Sequence, residues 1–440
     1  MYFLYSVLTA AGVILLSPYF LAQGVRRGKY VHSLRERLGF LPAGVAAPAA
    51  QDAGAIWIHA VSVGEALAAL PLAQALKQRF PSRRLVVSTT TATGQGVVRE
   101  RMKMADAIFY FPLDWAGPVH RVFRAVNPAL VVILETEIWP NFLREARRRG
   151  VPVIFVNARI SERSFRRYRW AKRLVPDFLS RVLSDGEIFL AQSADDARRL
   201  SELGAPEGRL EVLGNLKYDI DPPELGRFGE WLAEQARGQE RWPLVVAGSV
   251  VTDEEQAVLA AYDIVQRQWR RALLVLAPRK PERFDMAAQI AAEDGWKVVR
   301  RSQMRLHAPL AEDAEVLLLD SIGELAGLYS LADAVFIGGS LVPSGGHNIL
   351  EPAWFEKPPV FGPFMENFRE MAAQFLSARA AVRVESGEHL GRVWAQLISD
   401  PQESGKMGRA ARALVEKNRG ATGRSIERIT AILDGQRSGA

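Results

Sequence analysis

The 440-residue chain contains no cysteine. Disulfides, thiolate metal sites and cysteine nucleophiles are thereby excluded, and the absence suits a reducing compartment. Histidine is scarce. The six (His32, His59, His120, His307, His347 and His389) are scattered without an HxxxH pair, so no zinc site is expected. Neither Walker spacing nor GxGxxG occurs, which leaves no P-loop and no standard dinucleotide fingerprint. No 20–50-residue period repeats, so a solenoid or propeller is not indicated. Residues 1 to 25 carry no charged side chain at all.

Hydrophobic residues make up 48% of the chain and charged ones 24%, the balance of a folded globular protein. The length calls for two or more domains. The net charge is +7, and the excess is concentrated. Between Arg144 and Arg173 eleven Lys/Arg face only Glu145 and Glu162, with Phe165, Tyr168 and Trp170 interleaved. Such a cluster attracts phosphates or anionic lipid, and it also suits a plain solvated helix face.

The uncharged amino terminus is followed by Arg26-Arg27-Gly28-Lys29. About twenty apolar residues cross a hydrocarbon core as a helix, and Met1 to Gln23 just reaches that length. Basic residues after the apolar run are the reverse of a signal peptide, and the positive-inside rule then puts the rest of the chain in the cytoplasm. The expectation is a membrane anchor over 1–25, spanning or half-embedded, with a buried amphipathic helix as the alternative.

From residue 55 to about 220, continuous apolar strands alternate with helical stretches: Ile56-His59, Leu85-Ser88, Ala107-Phe111, Leu130-Leu134, Val153-Val156, Ile188-Ala191 and Leu210-Val212. Strands apolar on both faces belong to covered parallel sheets, so a doubly wound α/β fold is expected. Asp221-Pro222-Pro223 breaks the alternation, and a polar stretch to residue 241 reads as a linker. The pattern restarts with Leu244-Ala247, Leu273-Leu276, Lys297-Val299, Val316-Leu319, Ala334-Ile337 and Pro359-Phe361. The expected organisation is an anchor (1–25), a first Rossmann-like domain (26–220), a linker (221–241), a second wound domain (242–420) and a final helix (421–440) able to cross back. The two wound domains are expected to face a cleft.

Ligands of open α/β sheets sit at the carboxyl ends of strands, and helix amino termini there offer free N–H groups. Glu65 lies at such a junction, after Ala55-Ile56-Trp57-Ile58-His59, where a glutamate is a helix-start charge or a base. Leu130-Leu134 runs into Glu135-Thr136-Glu137-Ile138-Trp139-Pro140-Asn141. If that segment is extended, the two carboxylates point to opposite sides and only one faces the ligand. Thr89-Thr90-Thr91-Ala92-Thr93-Gly94 is a hydroxyl-rich loop suited to a polyhydroxylated ligand. Asn157-Ala158-Arg159 closes another strand with a cation, and Lys217 stands just before the linker. In the second half, Gly338 to Asn348 is rich in glycine and serine, so its backbone can approach a ligand closely. Asn348 suits a helix cap, and Glu351 lies one turn on. Pro278-Arg279 and Ser321-Ile322-Gly323-Glu324 follow neighbouring strands and bring a guanidinium and another helix start. Asp219-Ile220-Asp221 formally matches the metal-binding DxD pattern, but its place at a domain junction reads as capping.

Taken together, His59-Ala60-Val61-Ser62-Val63-Gly64-Glu65, Glu135 to Asn141, Asn157-Ala158-Arg159, Gly214-Asn215-Leu216-Lys217-Tyr218-Asp219, Pro278-Arg279 and Gly345-Gly346-His347-Asn348 with Glu351 resemble the Kdo (3-deoxy-D-manno-octulosonic acid) transferases of lipopolysaccharide assembly. These segments stand in the family's order over nearly the whole chain. Lys280, after Pro278-Arg279, departs from a position where histidine is common. The resemblance implies a GT-B fold and an inverting, metal-independent transfer of Kdo from CMP-Kdo to the lipid A precursor. It implies no cofactor and no nucleic-acid partner. In that reading Glu65 is the general base, and Glu135 and Glu137 with Lys217 stabilise the transition state. Pro278, Arg279, Ile322, Gly323, Glu324, Gly345, Gly346, Asn348, Ile349, Leu350 and Glu351 bind the CMP moiety. The anchor and the basic cluster 144–173 meet the membrane surface, with the catalytic domains on the cytoplasmic face of the inner membrane. The rivals are a GT-B-type nucleotide-sugar epimerase and a non-catalytic membrane-surface binding protein.

Overall fold

The computed structural model describes residues 1–27, 31–42, 44–46, 54–219, 221, 223–306 and 308–438, with the backbone alone for residues 14, 16–27, 31–32 and 436–438. Gly28 and Lys29 of the basic run, His307, Ile220 and Pro222 at the expected linker, and residues 439–440 lie outside the described residues. Contacts divide the chain into two units, Met1–Ile220 with Asn418–Ala440, and Asp221–Lys417.

In the first unit the order begins α1 (Tyr2–Arg27), α2 (Val31–Arg37), β1 (Ala55–His59), α3 (Val63–Arg79), β2 (Leu85–Thr89), α4 (Ala92–Arg101) and β3 (Ala107–Tyr110). It continues α5 (Ala116–Val126), β4 (Pro128–Leu134), α6 (Pro140–Arg148), β5 (Val153–Ala158), α7 (Glu162–Leu174) and α8 (Pro176–Leu183). The last elements before the break are β6 (Ile188–Ala191), α9 (Ala194–Leu203) and β7 (Leu210–Val212). Among the described residues the sheet has seven strands in the order β3-β2-β1-β4-β5-β6-β7, all parallel. Alternation along β1 splits the core in two. Trp57 faces one side, among the rings of Phe109, Phe123 and Phe142 at 5.4, 5.5 and 5.1 Å. Ile56 and Ile58 face the other, where α3 packs.

The second unit contains α10 (Gly226–Gly238), β8 (Leu244–Val250), α11 (Glu255–Gln268), β9 (Leu273–Pro278), α12 (Phe284–Glu293), β10 (Val298–Arg300) and β11 (Val316–Leu318). It continues α13 (Leu325–Leu328), β12 (Ala334–Ile337), α14 (Leu350–Trp354), β13 (Val360–Phe361), α15 (Arg369–Ser377), β14 (Val382–Arg383) and α16 (Gly387–Ser399). Its parallel sheet runs β10-β11-β9-β8-β12-β13-β14. Strand β14, two residues long with half-exposed side chains, is absent from the sequence reading because it has no apolar run. Most of the stretch read as linker is α10, whose Phe228, Trp231 and Leu232 are buried.

After α17 (Pro401–Asn418) the chain returns to the first unit as α18 (Ala421–Ser438), and Ala421, Ile429 and Leu433 join the core beside α3. Asp219 caps α18: its two carboxylate oxygens accept from the N–H groups of Gly420 and Thr422, each at 2.5 Å. Arg424 donates to the Leu213 carbonyl at 2.7 and 3.1 Å. The first aspartate of the DxD pattern is thus a helix cap, satisfying donors that a helix start leaves open.

No helix among the described residues is long and apolar enough to cross a membrane, so the spanning form of the expected anchor is not what is described. The first turns of α1 show a physical reason, since one stripe of the helix is polar and docked. Tyr2, Ser6 and Thr9 hydrogen-bond to Asp185, Asn141 and Trp115 of the first unit. The other stripe is apolar and open, with Phe3 81%, Leu8 63% and Leu15 79% exposed. The basic cluster is spread over α6 and α7, and Phe165 is the one buried side chain of α7.

Candidate active site

The first group of functional side chains sits at the carboxyl ends of the first unit's strands. β1 ends at His59, and Ser62 starts α3 as its N-cap, with Oγ accepting from the Glu65 N–H at 3.4 Å. Glu65 reaches back, its Oε1 accepting from Ser62 Oγ at 2.8 Å and its Oε2 from the Val61 N–H at 2.7 Å. This is nearly a capping box, so the helix-start reading of Glu65 is realised in the fold. It does not exhaust the group. Burial, and then the charge of Glu135, push its carboxyl up to about 7 against those hydrogen bonds.

Glu137 is likewise pushed up to about 7, by burial and by Glu65 and Glu135. Glu135 and Glu137 thus both stand within electrostatic reach of Glu65, where an extended segment would have sent them to opposite sides. The reason is local: Glu135 takes the left-handed conformation (φ 57°), so the segment is not extended and strict alternation fails. Asn157, at the end of β5, is also left-handed (φ 59°). Such backbones cost energy in non-glycine residues and persist where the surrounding structure imposes them, often at functional sites. Asn157 Oδ1 accepts from the Leu216 N–H at 3.0 Å, fixing the short helix that carries Lys217. Lys217 is held below its usual range by burial, a shift opposed by Glu135 and Glu65. Three carboxyls and one ammonium thus share the ends of β1, β4 and the segment after β7.

Other sequence candidates divide. Thr91 is the N-cap of α4, its Oγ1 accepting from Gly94 N–H at 3.1 Å and donating to the Val61 carbonyl at 3.0 Å. Thr89 and Thr90 hydroxyls are buried with no protein partner, as are His59 Nε2, Gln95 Nε2, Trp139 Nε1 and Asn157 Nδ2. Folded proteins rarely leave so many such atoms unpaired. These six lie on strand ends β1, β2 and β5 or in the segments just beyond β2 and β4. His59 is fully buried, its Nδ1 bonded to Ser88 and its ring stacked 3.9 Å from Phe111. Burial presses its pKa down to about 3, so at working pH the ring is neutral, with a single N–H. Gln95 and Asp114 stand outside the expected site: Gln95 lies within α4, and the backbone partners of Asp114, Asn141 and Phe142, are 27 and 28 residues away.

The second group lies at the carboxyl ends of adjacent strands β11-β9-β8-β12. Gly338 to Asn348 leaves β12 and turns at once around Glu254, a residue the sequence reading missed. Glu254 is completely buried. Its Oε2 accepts from the N–H of Gly339 (2.6 Å) and Val251 (3.1 Å), and its Oε1 from Ser340 and Leu341 (2.8 Å each). The first half of the glycine-rich loop is therefore not open for a phosphate; an internal carboxylate already fills its nest. The second half of the loop turns on two glycines. There Gly345 and Gly346 take φ of 88° and 73°, and a side chain at either would strike Asn367 or Met365. Asn348 caps the next turn, Oδ1 accepting from the Leu350 N–H at 3.1 Å and Nδ2 donating to Glu351 at 3.2 Å.

Ile349 and Leu350 turn their side chains into the core, so only their backbone can meet a ligand. Pro278 closes β9, and exposed Arg279 follows it. Arg279 acts on His347, whose pKa burial and that charge lower to about 4. Burial raises Glu351, while Asn348 and Arg279 oppose the shift. Gly248 gives the Tyr329 hydroxyl its place, since a Cβ there would sit 1.8 Å from that oxygen. Glu324, expected among the CMP-binding residues, is already paired within the second unit. Arg301 holds it at 2.8 and 3.1 Å while lying 4.3 Å over the Phe228 ring. Ile322 is 77% exposed beside left-handed Gly323.

Comparisons with known proteins bear on the family and the fold. A family model described as 3-Deoxy-D-manno-octulosonic-acid transferase (kdotransferase) matches residues 32–220. A 3-deoxy-D-manno-octulosonic acid transferase of Haemophilus influenzae is 33% identical over 414 residues, 93% of this chain and 93% of the relative. One from Bordetella pertussis is 33% identical over 401 residues, 88% and 89% of the two chains. A solved structure titled putative UDP-N-acetylglucosamine 2-epimerase, from Listeria monocytogenes, matches with a TM-score of 0.55 over 86% of this chain and 96% of its own. At 14% identity that likeness shows the two-unit GT-B fold alone. The sequence relatives decide the family: the chain belongs to the 3-deoxy-D-manno-octulosonic acid transferases.

Proposed function

We propose that this glycosyltransferase moves Kdo from CMP-Kdo to a hydroxyl of the lipid A precursor, with inversion and without a metal ion. The observation that carries the reading is the buried Glu65, whose carboxyl lies near 7 and is loaded by the neighbouring charge of Glu135. A base works best when its pKa is close to the working pH. Glu65 takes the proton of the acceptor hydroxyl as that oxygen bonds to the anomeric carbon of Kdo. The bond from that carbon to the CMP phosphate breaks, and CMP leaves with the electron pair. Lys217, held among Glu65 and Glu135, supplies positive charge where negative charge develops. Arg279, the Asn348–Glu351 turn and the backbone at Gly345-Gly346 hold the nucleotide. No role is left for Asp219 as a metal ligand, because both of its carboxylate oxygens serve α18.

The acceptor is carried in a lipid, and two surfaces of the first unit suit that. The open stripe of α1 is apolar, and α7 presents Trp170 and Leu174, each 64% exposed, among arginines. Apolar area inserted at the headgroup level with basic residues around it is the usual composition of an interfacial contact. The reading places the enzyme on the cytoplasmic face of the inner membrane. The epimerase reading has fold likeness behind it and no feature of the site.

The test is incubation with CMP-Kdo and lipid IVA, followed by mass spectrometry of the lipid. The expected outcome is acceptor heavier by whole Kdo units, undiminished by EDTA. An unmodified acceptor together with turnover of a free nucleotide sugar would favour the epimerase.

A further inference from the structure

Asp114, in the turn between β3 and α5, belongs to no expected site, yet it joins α1 to the loop that carries Glu135 and Glu137. That loop ends at Trp139, the N-cap position of α6, and Trp139 offers no capping side chain. Asp114 caps the helix from a distance instead: Oδ2 accepts from the Asn141 N–H at 3.1 Å and Oδ1 from the Phe142 N–H at 2.7 Å. Asn141 returns the contact, its Nδ2 donating to the Asp114 carbonyl at 2.6 Å.

Both members of this knot are gripped by α1. The Tyr5 hydroxyl stands close enough to Asp114 to favour its charged form against burial. Ser6 Oγ accepts from Asn141 Nδ2 at 3.0 Å, and Thr9 Oγ1 accepts from Trp115 Nε1, next to Asp114, at 3.2 Å. Positions 5, 6 and 9 share one face of a helix. Below them Tyr2, Ile138, Trp139, Tyr168 and Phe178 pack against one apolar cluster. The residues of α1 most exposed to solvent, Phe3, Leu8 and Leu15, are not the residues that make these bonds.

We propose that the Tyr5-Ser6-Thr9 stripe of α1 is a positioning element for the Glu135–Glu137 loop, separate from any membrane contact made by the opposite stripe. Seating α1 on Asp114 and Asn141 fixes where α6 begins, and hence where the loop's two carboxylates stand beside Glu65. The inference rests on the assignment of that loop to the reaction. A misplacement of about 1 Å at a reacting group costs up to a hundredfold in rate, so loss of the stripe should be read in turnover.

The experiment compares two variants of the full chain in detergent micelles, where membrane recruitment is not limiting. Tyr5→Phe/Ser6→Ala/Thr9→Val should lower kcat roughly tenfold. Its KM for CMP-Kdo and its binding to anionic vesicles should be unchanged. Phe3→Ser/Leu8→Ser should keep kcat in detergent and lose vesicle binding. Tyr5→Phe alone, one oxygen smaller, should show a part of the kcat loss with a wild-type melting curve, which covers misfolding of the triple variant. Wild-type kcat in detergent for Tyr5→Phe and the triple variant would overturn the proposal, as would a rate loss seen only on vesicles in step with lost binding. The underlying assignment fails differently: Glu135→Gln and Glu137→Gln would then both turn over normally, whatever the α1 variants do.

Discussion

The strand ends of the two units treat their acidic residues in opposite ways. In the second unit they are matched. Glu254 takes four backbone N–H groups, Glu324 takes Arg301, and Glu255 takes Arg283 at 2.7 Å. Burial pushes Asp320 up, but hydrogen bonds from Ser302 and Arg300 outweigh it and hold the carboxyl below its usual range. Glu351 is the exception, buried and raised. In the first unit Glu65, Glu135 and Glu137 are set against one another, with Lys217 among them. Matched groups make a stiff framework for binding, whereas mutually opposed buried acids have protons to exchange near neutrality. In the proposed reaction the chemistry belongs to the first unit and the nucleotide to the second.

The strongest way to break this contrast is to remove the first unit's cation. Lys217→Ala should lower kcat about a hundredfold or more, the scale on which a charge aimed at the transition state acts. CMP affinity, measured by calorimetry, should hold. On the other side, Glu254→Ala leaves four N–H groups, two of them fully buried, without their acceptor, a loss of about 3 kcal/mol. It should melt earlier and bind CMP about tenfold more weakly, with a smaller change in kcat at saturating donor.

The acid cluster gives a pH signature of unusual sign. Glu65 and Glu137, ordinarily at 4.5 and here near 7, hold more protons folded than unfolded. Their contribution to stability is full below about 4.5 and is lost as pH rises through 7, opposite to the common carboxylate case. Activity runs the other way, since the base must be deprotonated, so kcat/KM should climb through about pH 7. Glu135→Gln removes the charge that helps raise Glu65, and the rising limb should move to lower pH by a fraction of a unit to about one unit. An unmoved limb would separate Glu65 from Glu135. The smallest effect is expected at Asp219. Asp219→Ala should cost about 1 kcal/mol of stability as a lost helix cap, without loss of activity. A large activity loss there, restored by added divalent metal, would reopen the DxD reading.

Much of this was legible in the sequence because parallel strands buried on both faces are continuous apolar runs. Glu65, Arg279 and Asn348 stood at strand ends and could be found from that alone. The Glu135/Glu137 geometry could not, because a left-handed residue in mid-segment leaves no mark when the residue is not glycine. Glu254 and Asp114 were out of reach for another reason. Each caps or fills a structure distant in sequence (85 residues for Glu254 to Gly339, 27 for Asp114 to Asn141), and local spacing carries no trace of such partners. The apolar amino terminus was visible as a run, but its polar stripe showed its purpose only once Asp114 and Asn141 were beside it.

The division of labour is tested most directly by Glu65→Gln, followed for both lipid product and CMP binding. The expected result is normal CMP affinity with Kdo transfer at least about a hundredfold slower, the scale of a lost general base. Transfer at close to the wild-type rate would contradict it and return Glu65 to a helix-start role alone.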